Sequence, residues 1–93
     1  MAKINFAKIP YKDLDGKDCA WDIHRDFSNL LYMQGRSIEE HELGRKIYNS
    51  RDEKGNPTEV ELNKDETKIV LQYIKGYPYI LAQKVEEILK DAE

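Results

Sequence analysis

The sequence predicts a small α+β domain, with about four helices packed on a small antiparallel sheet in the order β-β-α-α-β-α-α. Three observations carry this prediction. Apolar residues recur at every second position near the amino terminus and at helical spacing from Phe27 onward. Cap and turn residues fall where the period changes. One short alternating run, Thr58 to Leu62, interrupts the helical part.

Taken in order, Lys3 to Tyr11 reads as a strand with Ile4 and Phe6 on one face and Asn5 and Ala7 on the other. Pro10 cannot donate to a ladder, so this strand should end near it or lie at an edge. Asp13-Leu14-Asp15-Gly16-Lys17 is a turn signal, because aspartates bond nearby amides and glycine tolerates positive φ. Asp18 to Ile23 then forms the second arm of a hairpin. The period changes to 3.6 with Phe27, Leu30 and Leu31, and Gly35 is placed to end that helix in a left-handed conformation.

Ser37 and Glu40 have the spacing of a capping box for a helix from Ile38 to about Asn49, with Leu43 and Ile47 inward. Gly44 inside it costs about 1 kcal/mol relative to alanine unless close packing requires it. Ser50 to Pro57 is a polar connection, and Thr58, Val60 and Leu62 mark a half-buried strand. Asn63 and Glu66 form a second capping box, followed by the stripe Ile69, Val70, Tyr73 and Ile74 up to Gly76. Tyr77-Pro78 restarts the chain, and Leu81, Val85, Ile88 and Leu89 repeat at helical spacing toward the carboxyl terminus. The expected core is completed by Ile4, Phe6, Trp21, Ile23, Phe27, Leu30 and Leu31.

The 93 residues suit one domain, and 40% hydrophobic with 35% charged residues exclude a fibre or a disordered tail. A chain of this size buries only about 60 to 65% of its unfolded surface, so its stability margin is thin. The longest apolar stretch, Tyr77 to Ala82, is far short of the roughly 20 residues that span a bilayer. MAKINFAKIP lacks the apolar segment of a secretory signal. Cys19 is the only cysteine, which excludes an intrachain disulfide and makes the cytoplasm the expected compartment.

Motifs for chemistry are sparse. Asp13-Leu14-Asp15-Gly16 brings its glycine two positions too early for an EF-hand loop, and His24 stands where the bidentate glutamate belongs. His41-Glu42-Leu43-Gly44-Arg45 begins like a zincin helix but has Arg45 in place of the second histidine. Cys19, on the Trp21 face of its strand, suits a small buried hydrophobe better than a nucleophile. No catalytic, cofactor-binding or metal-binding residue is expected, and no small-molecule ligand. The basic run from Arg36 to Arg51 is diluted by Glu39, Glu40 and Glu42. The last helix sets Lys84 and Lys90 against Glu86, Glu87, Asp91 and Glu93, and the net charge is −3, which argues against nucleic acid. Tyr73, Tyr77 and Tyr79 around the helix break, with Tyr48, are the candidate interface residues, because tyrosine buries a large area while keeping a wet end.

Leu43-Gly44-Arg45-Lys46-Ile47-Tyr48, Val60-Glu61-Leu62-Asn63-Lys64-Asp65-Glu66 and Gly76-Tyr77-Pro78-Tyr79, with the Asp13 to Gly16 turn, resemble a small protein family of tailed phages and prophages. The resemblance covers most of the chain, but its motifs are short and structural. The family has no assigned function, so the resemblance implies a phage, prophage or mobile-element setting and no site residue. The expected role is a non-enzymatic accessory that binds a protein partner or itself. A nucleic-acid-associated regulator from the same setting is the alternative.

Overall fold

A computed structural model describes residues 2–91. The α+β prediction holds, with one element more than expected. The chain runs β1 (Ala2–Ile4), β2 (Ile9–Lys12), β3 (Asp18–Trp21), α1 (His24–Gln34), α2 (Ile38–Tyr48), β4 (Val60–Leu62), α3 (Lys64–Tyr73), a 3-10 turn (Ile74–Gly76) and α4 (Tyr79–Asp91). No helix among the described residues is long and apolar enough to cross a membrane. The expected last turn of α4 includes Ala92 and Glu93, which lie outside the described residues.

The first strand is broken in two. Asn5 bends the chain by accepting through Oδ1 from the Ala7 amide at 2.9 Å and through its carbonyl from the Lys8 amide at 3.1 Å. This turn shifts the parity, so that Ile9 joins Ile4 and Phe6 in the core, where unbroken alternation would have placed Lys8. The single expected sheet is accordingly two separate antiparallel pairs, β1 with β4 and β2 with β3. Pro10 lies opposite Ala20. The Asp13 amide donates to the Lys17 carbonyl, so hydrogen-bonded pairs alternate outward from there and Pro10 falls on a non-bonded pair. Its missing N–H costs no rung. β3 stops at Trp21, earlier than expected, because the Ile23 amide donates instead to the Phe6 carbonyl at 2.8 Å.

The polar connections are two copies of one device. In Asp13 to Lys17, the aspartate Oδ1 accepts from the amides two and four residues on, both at 2.9 Å. In Asp52 to Asn56, the same two bonds recur at the same length. A glycine with φ of 82° or 84° occupies the fourth position of each, the left-handed region that side chains avoid. The aspartate of the first turn is therefore a backbone clamp.

The helix starts follow the capping signals with one difference. Asn63 and Glu66 form the complete reciprocal box, at 2.8 and 2.9 Å. Glu66 also takes a salt bridge from Lys46 at 2.9 Å, which ties α3 to α2. At α2, Ser37 Oγ accepts from the Glu40 amide, but Glu40 reaches past the cap to the Arg36 amide. Gly35 departs from expectation: its backbone is extended, with φ −61° and ψ 136°. A Cβ there would lie 2.5 Å from the Leu31 carbonyl, so close packing rather than handedness requires the glycine.

Between the layers, Phe6 stacks on Phe27 at 5.1 Å and Tyr77 meets Phe27 edge-on at 5.9 Å. Leu31, Leu43, Ile47, Leu62, Val70 and Leu81 close around them, fully buried or nearly so. Ala2 and Ile9 enlarge the expected core. Trp21, Leu30, Ile69, Tyr73 and Ile88, expected inside, pack only half-buried against its edge. For Trp21 the reason is the thin two-stranded ribbon, which covers it with Tyr11 at 5.5 Å but leaves an open side.

Candidate functional site

A concavity lies between α1 and α2, which form the most extensive helix interface among the described residues. Gly44 makes it. A Cβ at this position would stand 2.6 Å from the Ser28 carbonyl and 2.7 Å from the Tyr32 amide, so only glycine lets the two backbones come this close. The approach leaves an open groove of about 360 Å³ above the Ser28 and Gly44 floor.

Two histidine–tyrosine clasps fix the ends of this groove. Buried His24 on α1 donates from Nε2 to the Tyr48 carbonyl at the end of α2, 3.2 Å away. His41 on α2 donates from Nδ1 to the Tyr32 carbonyl in the last turn of α1, at 2.9 Å. Each imidazole thus satisfies one of the final carbonyls that a helix leaves without an internal partner. The rings pack as well, His24 with Tyr48 at 6.2 Å and His41 with Tyr32 at 4.4 Å. Arg51 adds a guanidinium 4.5 Å from the Tyr48 ring centre and donates from Nε to the Tyr48 carbonyl at 2.9 Å.

The walls carry the polar chemistry. Arg25 and Asn29 lie four residues apart on α1, and Arg45 on α2 repeats that spacing with Asn49, which caps the helix. The Ser28 hydroxyl is committed to the Arg25 carbonyl, and Arg51 to the Tyr48 and Gly55 carbonyls. Among the described residues, Arg25 and the two carboxamides have no side-chain partner of their own. Arg45 has only Glu42, at 4.0 Å, too long for a hydrogen bond. The groove therefore carries two positive charges on a chain whose net charge is −3.

The four tyrosines named from the sequence do not form one patch. Tyr48 stands at the groove, and Tyr79 is 81% exposed at the start of α4. Tyr77 is half-buried against Phe27, where burial pushes its phenol above the ordinary range, with the charge of Asp26 adding to it. Tyr73 donates to Glu40 near the beginning of α2, eight residues or about 12 Å along the axis from Tyr48. Of the groove residues, Arg45 enters the sequence reading only through the basic run and the zincin-like motif, and Arg25, Asn29, Tyr32 and Asn49 are not among its site residues. Their signal in the sequence is the repeated Arg–Asn spacing on two helices, with a glycine in the middle of the second.

The Tyr73–Glu40 bond holds the Glu40 carboxyl below its usual range, helped by the Arg36 amide and the Ser37 hydroxyl against a smaller desolvation penalty. The same bond raises the Tyr73 phenol, with burial adding to it. A carboxyl lowered in the folded state adds stability above its ordinary value near 4.5 and loses it as pH falls through the folded value. A phenol raised in the folded state adds stability below its ordinary value near 10.0 and loses it as pH rises through the folded value. Tyr73→Phe should remove up to about 1 kcal/mol near neutral pH, after solvent screening. Urea midpoints measured across the pH range should lose part of both the acid and the alkaline decline. Unchanged limbs would mean that the bond does not persist in solution.

Cys19 is half-buried rather than buried, with Sγ 3.7 Å from the Lys17 carbonyl and 4.0 Å from Asp13 Oδ2. The hairpin turn curls over it only partly. Its titratable neighbour Tyr11 is a phenol raised by burial and by the thiol itself, so it is no base at neutral pH. Among the described residues no group of three or more His, Cys, Asp or Glu side chains is placed to hold a metal ion. Comparison with protein-family models, curated proteins and solved structures finds no match.

Proposed function

We infer that this protein is a non-enzymatic interaction module that holds a protein partner in the groove between α1 and α2. The observation that carries the reading is the groove itself: two helices brought to backbone contact at Gly44, clasped at both ends, with unpartnered polar groups along the walls. Tyr32 lines the groove, and where α1 passes into α2 Met33 and Ile38 are exposed apolar residues, Ile38 being 78% exposed. Such a mixture of aromatic, arginine and apolar groups is the usual composition of a binding surface. The sequence resemblance favours an accessory or assembly role in a phage, prophage or mobile-element setting, which we propose on that resemblance alone.

A photo-cross-linking residue at Tyr32, compared with one at exposed Gln83 on α4, tests the reading in the native host. A protein adduct from position 32 and none from position 83 is expected. Adducts to nucleic acid, or equal labelling from both positions, would overturn it. Sedimentation over a wide concentration range separates a foreign partner from a second copy of the chain.

A further inference from the structure

We propose that the occupant of the α1–α2 groove is an extended acidic peptide segment of another protein, a partner class that rests on the interaction-module reading. Charge selects it first. Among the described residues, Arg25 and Arg45 are the charged groups lining the groove, and the planar guanidinium fork matches a carboxylate. Glu42 approaches Arg45 only to 4.0 Å, so an incoming carboxylate meets no strong internal competitor.

The carboxamides select the extended main chain. Asn29 and Asn49 each present one acceptor and two donors, the complement of a peptide unit. Arg25 to Tyr32 spans seven residues of helix, about 10 Å, which matches about three residues of extended chain. Past Tyr32 in the chain, Met33 and Ile38 at the passage from α1 to α2 are exposed and apolar. The fitting segment therefore has carboxylates spaced along the groove, followed by a bulky apolar residue.

Aromatic geometry decides between this ligand and a single-stranded nucleic acid, the other polyanion that arginine and tyrosine attract. Stacked bases need open ring faces. The Tyr48 ring is already packed against His24 and the Arg51 guanidinium, and the Tyr32 ring lies 4.4 Å from the His41 ring. His41 takes one face of Tyr32, and His24 with Arg51 flanks Tyr48, which favours a ligand held by charge and hydrogen bonds over one held by stacking.

Fluorescence anisotropy on the full chain tests the proposal. The probe is a labelled, end-blocked peptide of three glutamates followed by leucine and phenylalanine, beside its glutamine-substituted twin and a short oligothymidylate. The acidic peptide should bind, weaken as salt is raised, and lose about fivefold in affinity with Arg25→Gln or Arg45→Gln. Both arginines are exposed, so these variants should fold, and circular dichroism checks that they do. Lys84→Gln, at the foot of the hairpin ribbon, should leave binding unchanged.

Equal binding of the glutamine twin, tighter binding of the oligothymidylate, or no peptide binding at millimolar concentration would each overturn the acidic-peptide assignment. A dimer that Arg25→Gln dissociates without added peptide would also overturn it, giving the groove to a second copy of the chain. Protein adducts from position 32 alongside any of these results would keep the interaction module and discard only the partner class.

Discussion

Replacing Phe27 with alanine should remove about 3–5 kcal/mol of folding stability, the usual cost of deleting a fully buried aromatic ring. Phe27 has no exposed surface, stacks on Phe6 and receives the edge of Tyr77, so the cavity would open between three elements. A domain of this length has in all about 5–14 kcal/mol. The variant should therefore stand near the unfolding threshold, with its urea midpoint displaced far toward zero. Phe27→Leu retains most of the volume and should cost no more than about 1.5 kcal/mol. A loss from alanine no greater than that from leucine would show that the Phe6, Phe27 and Tyr77 cluster does not organise the core.

Gly44→Ala should also destabilise, although alanine is the better helix former by about 1 kcal/mol. The added methyl meets the Ser28 carbonyl at 2.6 Å, the Tyr32 amide at 2.7 Å and Leu31 Cβ at 3.1 Å. Two of these are backbone atoms of α1, so no side-chain rotation relieves the overlap and the helices must part. Overpacking of this kind costs about 1–3 kcal/mol or more, and here it outweighs the propensity gain, for an expected net loss of about 2 kcal/mol. The same separation stretches the His24 and His41 clasps, so changed imidazole NMR signals should accompany the lower urea midpoint. A neutral or stabilising effect would contradict the close approach.

These two residues differ in how plainly the sequence announces them. Phe27 sits in an apolar stripe with Leu30 and Leu31, and the stripe alone marks the inner face of α1. Asn63 with Glu66, and Asp13 with Gly16, are equally readable, because caps and turns act over a few residues. The break at Asn5 is less legible, because Lys3 to Tyr11 reads as one strand with Ile4 and Phe6 on one face. The three-residue step from Phe6 to Ile9 cannot keep one face of a strand, and an asparagine just before it supplies the turn. The groove was harder still. Gly44 shows as a misplaced glycine, but which carbonyl it admits depends on how two helices cross. The tyrosines are close along the chain, whereas Tyr48 ends α2 and Tyr73, on α3, bonds Glu40 near the other end of α2.

The pairing of β1 with β4 bears on how the molecule reaches its fold. The hairpin of β2 and β3 closes about five residues and α1 with α2 about three, whereas β1 must wait for a partner roughly 55 residues away. Closing that longer loop costs about 2 kcal/mol more in chain entropy than closing the hairpin. The hairpin and the helix pair with its groove can organise first, and the amino-terminal strand returns to Val60–Leu62 late. On loop lengths alone, the α1–α2 groove belongs to the part of the chain that closes at the lower entropic cost, and the return of the first strand would act as a latch on it.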